Sequence, residues 1–165
     1  MKLTRPIARL LLVACMTLPF AACKKEEAPA PVVRAPMTAP TTDDAAQWRL
    51  YVSDVVTRNM EGIQNQPYVY LLPGESTEDF DGLYERMLDK ARMDVARGII
   101  KGNMLAYASP SSAKMADIVG ESFSTVTPET MQGVKVLFIG APADEARVRA
   151  AVAPAGVDFV FVEAK

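Results

Sequence analysis

The stretch from Val134 to Ile139 constrains the fold of this chain more than any other, because Val134-Lys135-Val136-Leu137-Phe138-Ile139 is almost uninterrupted in apolar character. Such a run is typical of a parallel strand buried on both faces, whereas a half-exposed strand alternates apolar and polar residues. Parallel neighbours need long crossover connections, which are usually helices. The run therefore predicts a central parallel strand covered by helices.

Three further runs predict strands from their β-prone composition and their flanking turn residues. They are residues 68–72, which lie between Pro67 and Pro73-Gly74, residues 103–107, and residues 157–162. Together with the run at 134–139, they predict four strands.

Apolar residues at three- and four-residue spacing lie before each predicted strand and indicate amphipathic helices. The first stripe runs from Trp48 to Ile63, and Thr42 or Asp43 is available as its amino-terminal cap. The second stripe follows Ser76, whose spacing to Asp79 is typical of a capping box, and ends near residue 98.

The last two helices are predicted from their starts. Ser109-Pro110 supplies a cap and a first-turn proline for the third helix, and Gly140-Ala141-Pro142 leads into a fourth that continues through about Ala153. The element order is therefore α-β-α-β-α-β-α-β over residues 43–165, a length sufficient for one hydrophobic core.

We predict from this order a single small α/β domain with a four-stranded sheet and helices on both faces. Right-handed crossovers between successive parallel strands support this arrangement. The sheet is fully parallel or mixed with one antiparallel edge strand, because the order of elements does not specify the order of strands.

The amino terminus has the organisation of an export signal. A basic start that includes Arg9 precedes an apolar run from Leu10, and the run ends at Phe20-Ala21-Ala22-Cys23. Only about 13 residues separate Arg9 from the cysteine, and Pro19 is among them. A transmembrane helix needs roughly 20 apolar residues, so the segment favours a signal over an anchor that spans the bilayer.

Residues 1–24 resemble the precursor of a bacterial lipoprotein. The resemblance implies that residues 1–22 are a signal peptide cleaved before Cys23. It also implies a diacylglycerol thioether on the sulfur of Cys23 and acylation of the new amino terminus. Lys24 resembles the residue that follows the cysteine in lipoproteins of the outer membrane, which implies a lipid anchor there and a domain facing the periplasm. Two or three acyl chains hold a protein firmly, whereas one holds it only marginally.

Residues 23–42 are predicted to form the lipidated Cys23 and a tether. The segment is rich in Pro and Ala and carries the charge pairs Lys24-Lys25 and Glu26-Glu27, with few apolar residues to build a core. The globular domain is then expected from residue 43 to residue 165.

Composition excludes several classes of function. The chain has no His, which removes Ser-His-Asp and Cys-His catalysis and the commonest zinc ligand. Cys15 leaves with the signal and Cys23 is lipidated, so the mature domain is expected to have no thiol and no disulfide. Loss of the signal lowers the 18 basic residues to 15 against 20 acidic ones, which argues against nucleic-acid binding. Neither a cofactor nor a metal site is predicted.

The loops that follow the first three strands are the candidate ligand site. They are residues 73–77, 109–112 and 140–143, and parallel strands bring such loops to one edge of the sheet, where open α/β folds usually bind ligands. Each loop leads into a helix start, whose amides and positive dipole end can hold an anion. The candidate ligand-binding residues are Ser76, Thr77, Ser109, Ser111, Ser112 and Gly140. The same residue types serve ordinary helix caps and turns, so both interpretations stand.

Two weaker catalytic hypotheses rest on local patterns. Carboxylates cluster between Glu75 and Asp81, and paired carboxylates hydrolyse glycosides such as peptidoglycan, although acidic residues also stabilise a first helical turn. Ser111-Ser112-Ala113-Lys114 fits a Ser-x-x-Lys pattern, but the chain lacks the motifs that accompany it in acyl-transfer enzymes. No catalytic residue is assigned.

The sequence therefore favours a lipid-anchored, non-catalytic interaction module that engages an envelope or periplasmic protein. A toxin-immunity lipoprotein and an accessory subunit of an envelope assembly are two forms of this hypothesis. The alternative is a domain that binds a small ligand, anion or glycan through the strand-end loops, and a carboxylate-based peptidoglycan hydrolase is a weaker alternative.

Overall fold

A computed structural model describes residues 35–165 of the chain. The predicted signal peptide at 1–22, Cys23 and the tether as far as residue 34 lie outside the described residues. The helices and strands are α1 (Ala45–Arg58), β1 (Tyr68–Leu71), α2 (Phe80–Ala96), β2 (Met104–Ala108), α3 (Ser112–Phe123), β3 (Lys135–Gly140), α4 (Pro142–Val152) and β4 (Asp158–Glu163), with a short 3₁₀ turn at Ala153–Ala155 between the last two.

The four strands form one sheet in the order β1-β2-β3-β4, and every neighbouring pair is parallel. Tyr70 of β1 lies opposite Tyr107 of β2, which in turn lies opposite Phe138 of β3. The predicted α/β domain and its parallel sheet are confirmed, and the mixed-sheet alternative is wrong. The strand predicted from the apolar run is central, with Val136 through Gly140 buried.

Helices cover both faces of the sheet, but unequally. Side chains of α2, α3 and α4 pack on one face against the alternate strand residues that include Tyr70, Tyr107 and Phe138. Among the helices of residues 35–165, only α1 packs on the other face, where it meets Met104 and Leu137. Two apolar cores therefore lie on either side of the sheet.

The starts of the first two helices differ from their predicted caps. The cap of α1 is Asp44, not Thr42 or Asp43, since its carboxylate accepts hydrogen bonds from the N–H groups of Ala46 and Gln47 at 2.9 Å. The predicted capping box at Ser76 is also wrong. The Ser76 hydroxyl donates to Asp43 instead, and α2 begins only at Phe80.

The cap position of the third helix is likewise two residues later than predicted. Its cap position is Ser111, and the Ser109 hydroxyl accepts a bond from the N–H of Ser111 at 2.9 Å. Pro110 therefore precedes the helix and does not lie in its first turn. The fourth helix has Pro142 in its first turn, as predicted, and ends at Val152.

The chain joins the compact unit before the predicted boundary at residue 43. The unit extends from Ala35 to Lys165. The N–H of Ala39 donates to the carbonyl of Lys165, and the Trp48 indole donates to the carbonyl of Thr42. No helix between residues 35 and 165 is long and apolar enough to cross a membrane.

Candidate functional site

The three loops of the predicted ligand site meet at the carboxyl edge of the sheet, as the parallel strands require. Ser112 lies at the centre of this edge. Its hydroxyl donates to the Asp144 carboxylate at 2.6 Å and accepts from the N–H of Ala141 at 2.8 Å. Because Ala141 and Asp144 belong to the β3–α4 junction, Ser112 joins the starts of α3 and α4.

The other hydroxyl groups at this edge also have partners within the protein. The Ser76 hydroxyl donates to Asp43 at 2.5 Å, and the Ser111 hydroxyl accepts from the N–H of Glu75 at 3.1 Å. The hydroxyls of Ser76 and Ser112 are therefore engaged as donors, whereas those of Ser109 and Ser111 accept bonds from backbone N–H groups. These bonds connect neighbouring loops, and the side chains at the cap positions of α2, α3 and α4 make no cap hydrogen bond.

A polar pocket of about 260 Å³ lies between residues 39–43 and the loops after β2 and β3. Ser109, Ser112 and Gly140 line it, and so does Asp43, whose carboxylate disfavours an anionic occupant. Position 140 requires glycine because the Ser112 side chain lies too close to leave room for a Cβ. A Cβ there would lie 2.5 Å from the Ser112 hydroxyl oxygen.

Thr77 does not join this pocket. Its backbone N–H closes a turn onto the carbonyl of Gly74, and its side chain lines a different cavity, described below. The loop edge therefore brings together Ser109, Ser112 and Gly140, with Ser76 and Ser111 beside them.

The two catalytic hypotheses receive no supporting contact. Asp79, with a φ of 57°, bonds Arg86 at 3.1 Å, and the Lys114 amine lies over the Tyr84 ring at 5.9 Å from its centroid. No group of three or more His, Cys, Asp or Glu residues placed to hold a metal ion occurs among residues 35–165.

An apolar cleft of about 640 Å³ lies along the edge of the sheet beside β1. One wall is α1, with Val52 and Val56, and the opposite wall is α2, with Leu83 and Met87. Val69 of β1, which is 45% exposed, lies between the walls. The cleft therefore spans both faces of the sheet at its edge.

The cleft follows from the uneven helix coverage. A helix with its side chains is about 10 Å wide, whereas the outer strands of a four-stranded sheet are about 14 Å apart. A single helix, α1, therefore cannot cover one face completely. Residues 35–39 fill the β4 side of α1, as the bonds of Met37 to Asp54 and of Ala39 to Lys165 show. The β1 side stays open.

Sequence reasoning missed this cleft, although one signal for it was present. Three predicted helices connect successive strands and only one precedes them. If the strands lie in chain order, the connecting helices share one face, and the other face has a single helix. The missing information was that strand order, which makes β1 an edge.

A buried polar cluster supports the α2 side of β1. The Tyr70 hydroxyl donates to Asp94 at 2.9 Å, and the Lys90 amine donates to the same carboxylate oxygen at 2.5 Å. Burial opposes ionisation of Asp94, but the hydrogen bonds of Lys90 and Tyr70 and the charges of Lys90 and Arg97 outweigh it and lower the pKa of this carboxyl.

Tyr107 stacks on Tyr70 with 4.7 Å between ring centroids. Burial raises the pKa of both phenols, and the Tyr107 hydroxyl has no hydrogen-bond partner among the described residues. Both phenols are therefore neutral and serve the packing of β1 and β2 in the core on this face of the sheet.

No family model, curated protein or solved structure matches this chain.

Proposed function

We propose that the chain is a lipid-anchored binding module of the bacterial cell envelope that engages a protein partner through the cleft between α1 and α2. The apolar cleft beside β1 carries the proposal, because it combines a concave surface with an exposed apolar side chain at its centre. Exposed apolar surface of this kind marks interaction sites.

The lipoprotein-like amino terminus supports an anchored form of this module. Lipidation at Cys23 and a Pro- and Ala-rich tether keep the domain at the membrane surface, on the periplasmic side of the outer membrane. Tethering raises the effective concentration of the domain for a partner in the same envelope, so a modest affinity suffices.

Affinity capture with matched variants tests the proposal. The full-length protein is isolated from gently solubilised envelopes as wild type, as Val69→Lys and as Ile100→Lys. Ile100 is the control, because it is 73% exposed and lies before β2, outside the cleft lining. A near-stoichiometric partner is expected with wild type and Ile100→Lys, and its loss with Val69→Lys. Equal capture by both variants, or no enriched protein, would contradict the proposal.

Deletion phenotypes distinguish the two forms of this role. Sensitivity to a toxin after deletion of the gene indicates an immunity protein. Loss of an envelope assembly without such sensitivity indicates an accessory subunit.

The polar pocket at the loop edge supports a second proposal, a site for a small polar ligand. Its 260 Å³ volume and its lining by Ser109, Ser112 and Asp43 favour a neutral or cationic ligand. Thermal stabilisation by such a ligand, lost when Ser109 is replaced by a bulky residue, is the expected result. Stabilisation that survives the substitution would contradict this second proposal.

A further inference from the structure

The edge strand β1 has backbone N–H and C=O groups that point away from the sheet and can pair with a further strand. The N–H of Leu72 donates to the carbonyl of Ala108, so the backbone groups of Leu72 and Tyr70 point toward β2. Successive residues of a strand point their backbone groups to opposite sides. The N–H and C=O groups of Val69 and Leu71 therefore point away from the sheet, where no other strand lies among residues 35–165.

Two of the features that protect an edge strand are absent from β1 itself. Tyr68-Val69-Tyr70-Leu71 contains no charge and no proline. The opposite edge strand, β4, carries Asp158 and Glu163 at its two ends. Charged residues and prolines at an edge discourage pairing with another chain. The β1 edge is therefore the one open to pairing.

From these observations we infer that the cleft takes an extended peptide segment of the partner as a fifth strand beside β1. The inference rests on the proposed function and adds the mode of recognition. An added strand lies between α1 and α2, where its alternate side chains face Val52 and Val56 on one side and Leu83 and Met87 on the other.

The cleft itself favours a peptide over other occupants. An acyl chain fills apolar space but leaves the outward amides of Val69 and Leu71 without partners. A second copy that pairs edge to edge also satisfies those amides, but it brings its own helices to the same edge, whereas a single extended segment fits between α1 and α2. Ala35, the first described residue, lies beside Arg58 on the β4 side of α1, across the helix from the cleft.

A positively charged side chain in the cleft favours an acidic residue in the peptide. Two charged residues, Asp43 and Arg49, line the cleft. The Asp43 carboxylate accepts a bond from the Ser76 hydroxyl, whereas none of the ion pairs among residues 35–165 involves Arg49. An acidic side chain in the added strand pairs with this guanidinium. The expected segment is about four residues long, like β1, and is apolar at alternate positions with one Asp or Glu.

A random decapeptide library displayed on phage, selected on residues 35–165, tests the inference. This fragment contains all four strands and both apolar cores as one compact unit, and a cooperative thermal transition is its folding control. Selected peptides are expected to slow hydrogen exchange of the Val69 and Leu71 amides by about tenfold or more, since each amide gains a partner. No enrichment, or enriched peptides that leave both amides unprotected, would overturn strand addition.

Two variants at one position separate backbone pairing from apolar contact. Val69→Pro removes the outward N–H without removing a bond to β2, and Val69→Thr keeps the N–H and the strand preference. Selected peptides are expected to bind Val69→Pro about tenfold more weakly and Val69→Thr nearly as wild type. Equal binding to both variants would overturn the inference. If envelope capture depends on Val69 while the amides stay unprotected, the proposed function stands and strand addition is wrong.

Discussion

The Tyr70 hydroxyl donates a 2.9 Å hydrogen bond to the Asp94 carboxylate and thereby links β1 to α2 beneath the cleft. Lys90, which is on the same helix as Asp94, bonds that carboxylate at 2.5 Å, and its amine lies 4.8 Å from the centroid of the Tyr70 ring, so it adds a second contact between α2 and the edge strand. The shape of the cleft depends on this link between its wall and the strand beside it.

Tyr70→Phe removes that hydrogen bond and keeps the stacked ring. We expect a loss of about 1–2 kcal/mol in the free energy of unfolding, because a bond to a charged, buried acceptor is lost. Urea denaturation measures it. Tyr68→Phe is the control, since Tyr68 is partly exposed at the start of the same strand and its change is expected to stay within about 0.5 kcal/mol. Equal effects of the two substitutions would show that the bond contributes nothing.

Asp94 also makes stability depend on pH in a defined direction. Its folded pKa is lowered by the Lys90 and Tyr70 bonds, which outweigh the effect of burial. A carboxyl with a lowered pKa stabilises the fold above its ordinary value near 3.9, and this contribution is lost as pH falls through the folded pKa.

The difference in stability between wild type and Asp94→Asn should therefore be largest near pH 7 and narrow below about pH 4. Denaturation at a series of pH values measures it. Asp89→Asn, exposed on the same helix, serves as the control at pH 7. A difference that is constant from pH 7 to pH 2 would contradict the role of the ionised Asp94.

Gly140→Ala should destabilise the loop edge by about 1–3 kcal/mol, because the new methyl group lies 2.5 Å from the Ser112 oxygen and 2.8 Å from the Phe138 ring. Thermal denaturation measures the change. Gly120→Ala is the matched control. It adds a methyl group with no heavy atom within 4 Å inside α3, and it should stabilise the helix by up to about 1 kcal/mol.

A double substitution tests whether the destabilisation by Gly140→Ala comes from its close contact with Ser112. In a double-mutant cycle, Ser112→Ala and Gly140→Ala should cost less together than the sum of the single changes, because both disturb the same contact. Strict additivity would show that the two residues are not coupled.

Cys23→Ala should abolish lipidation and release the domain from the membrane fraction, whereas Cys15→Ala should leave both unchanged. Mass spectrometry of the mature amino terminus and fractionation of envelopes measure these outcomes. A protein that still begins before residue 23, or that stays anchored as Cys23→Ala, would contradict the lipoprotein interpretation.

The sequence predicted the order and type of the elements because these depend on local periodicity and turn residues. The stripe on α1 and the apolar run at 134–139 are examples. Helix caps were harder to predict, because Ser76 bonds Asp43, which is far from it in the chain, and so leaves the start of α2 at Phe80. Local sequence does not show such a contact.

The loop edge and the cleft also depend partly on local sequence and partly on tertiary packing. The parallel strands allowed Ser109, Ser112 and Gly140 to be placed together, but the partners of their polar atoms depend on tertiary packing. The cleft depends on which strand is an edge, and no local pattern in Tyr68–Leu71 specifies this. Only the strand order places β1 at an edge of the sheet and so leaves the cleft open.

Photo-cross-linking in intact envelopes tests the cleft most directly. A benzophenone amino acid is placed at Val69 in the full-length protein, and at Ile100 in the matched control. We predict a single abundant protein adduct from position 69, mapped to an extended segment of the partner, and none from position 100. The absence of an adduct at position 69, or the same adducts from both positions, would contradict the assignment of the cleft as the binding surface.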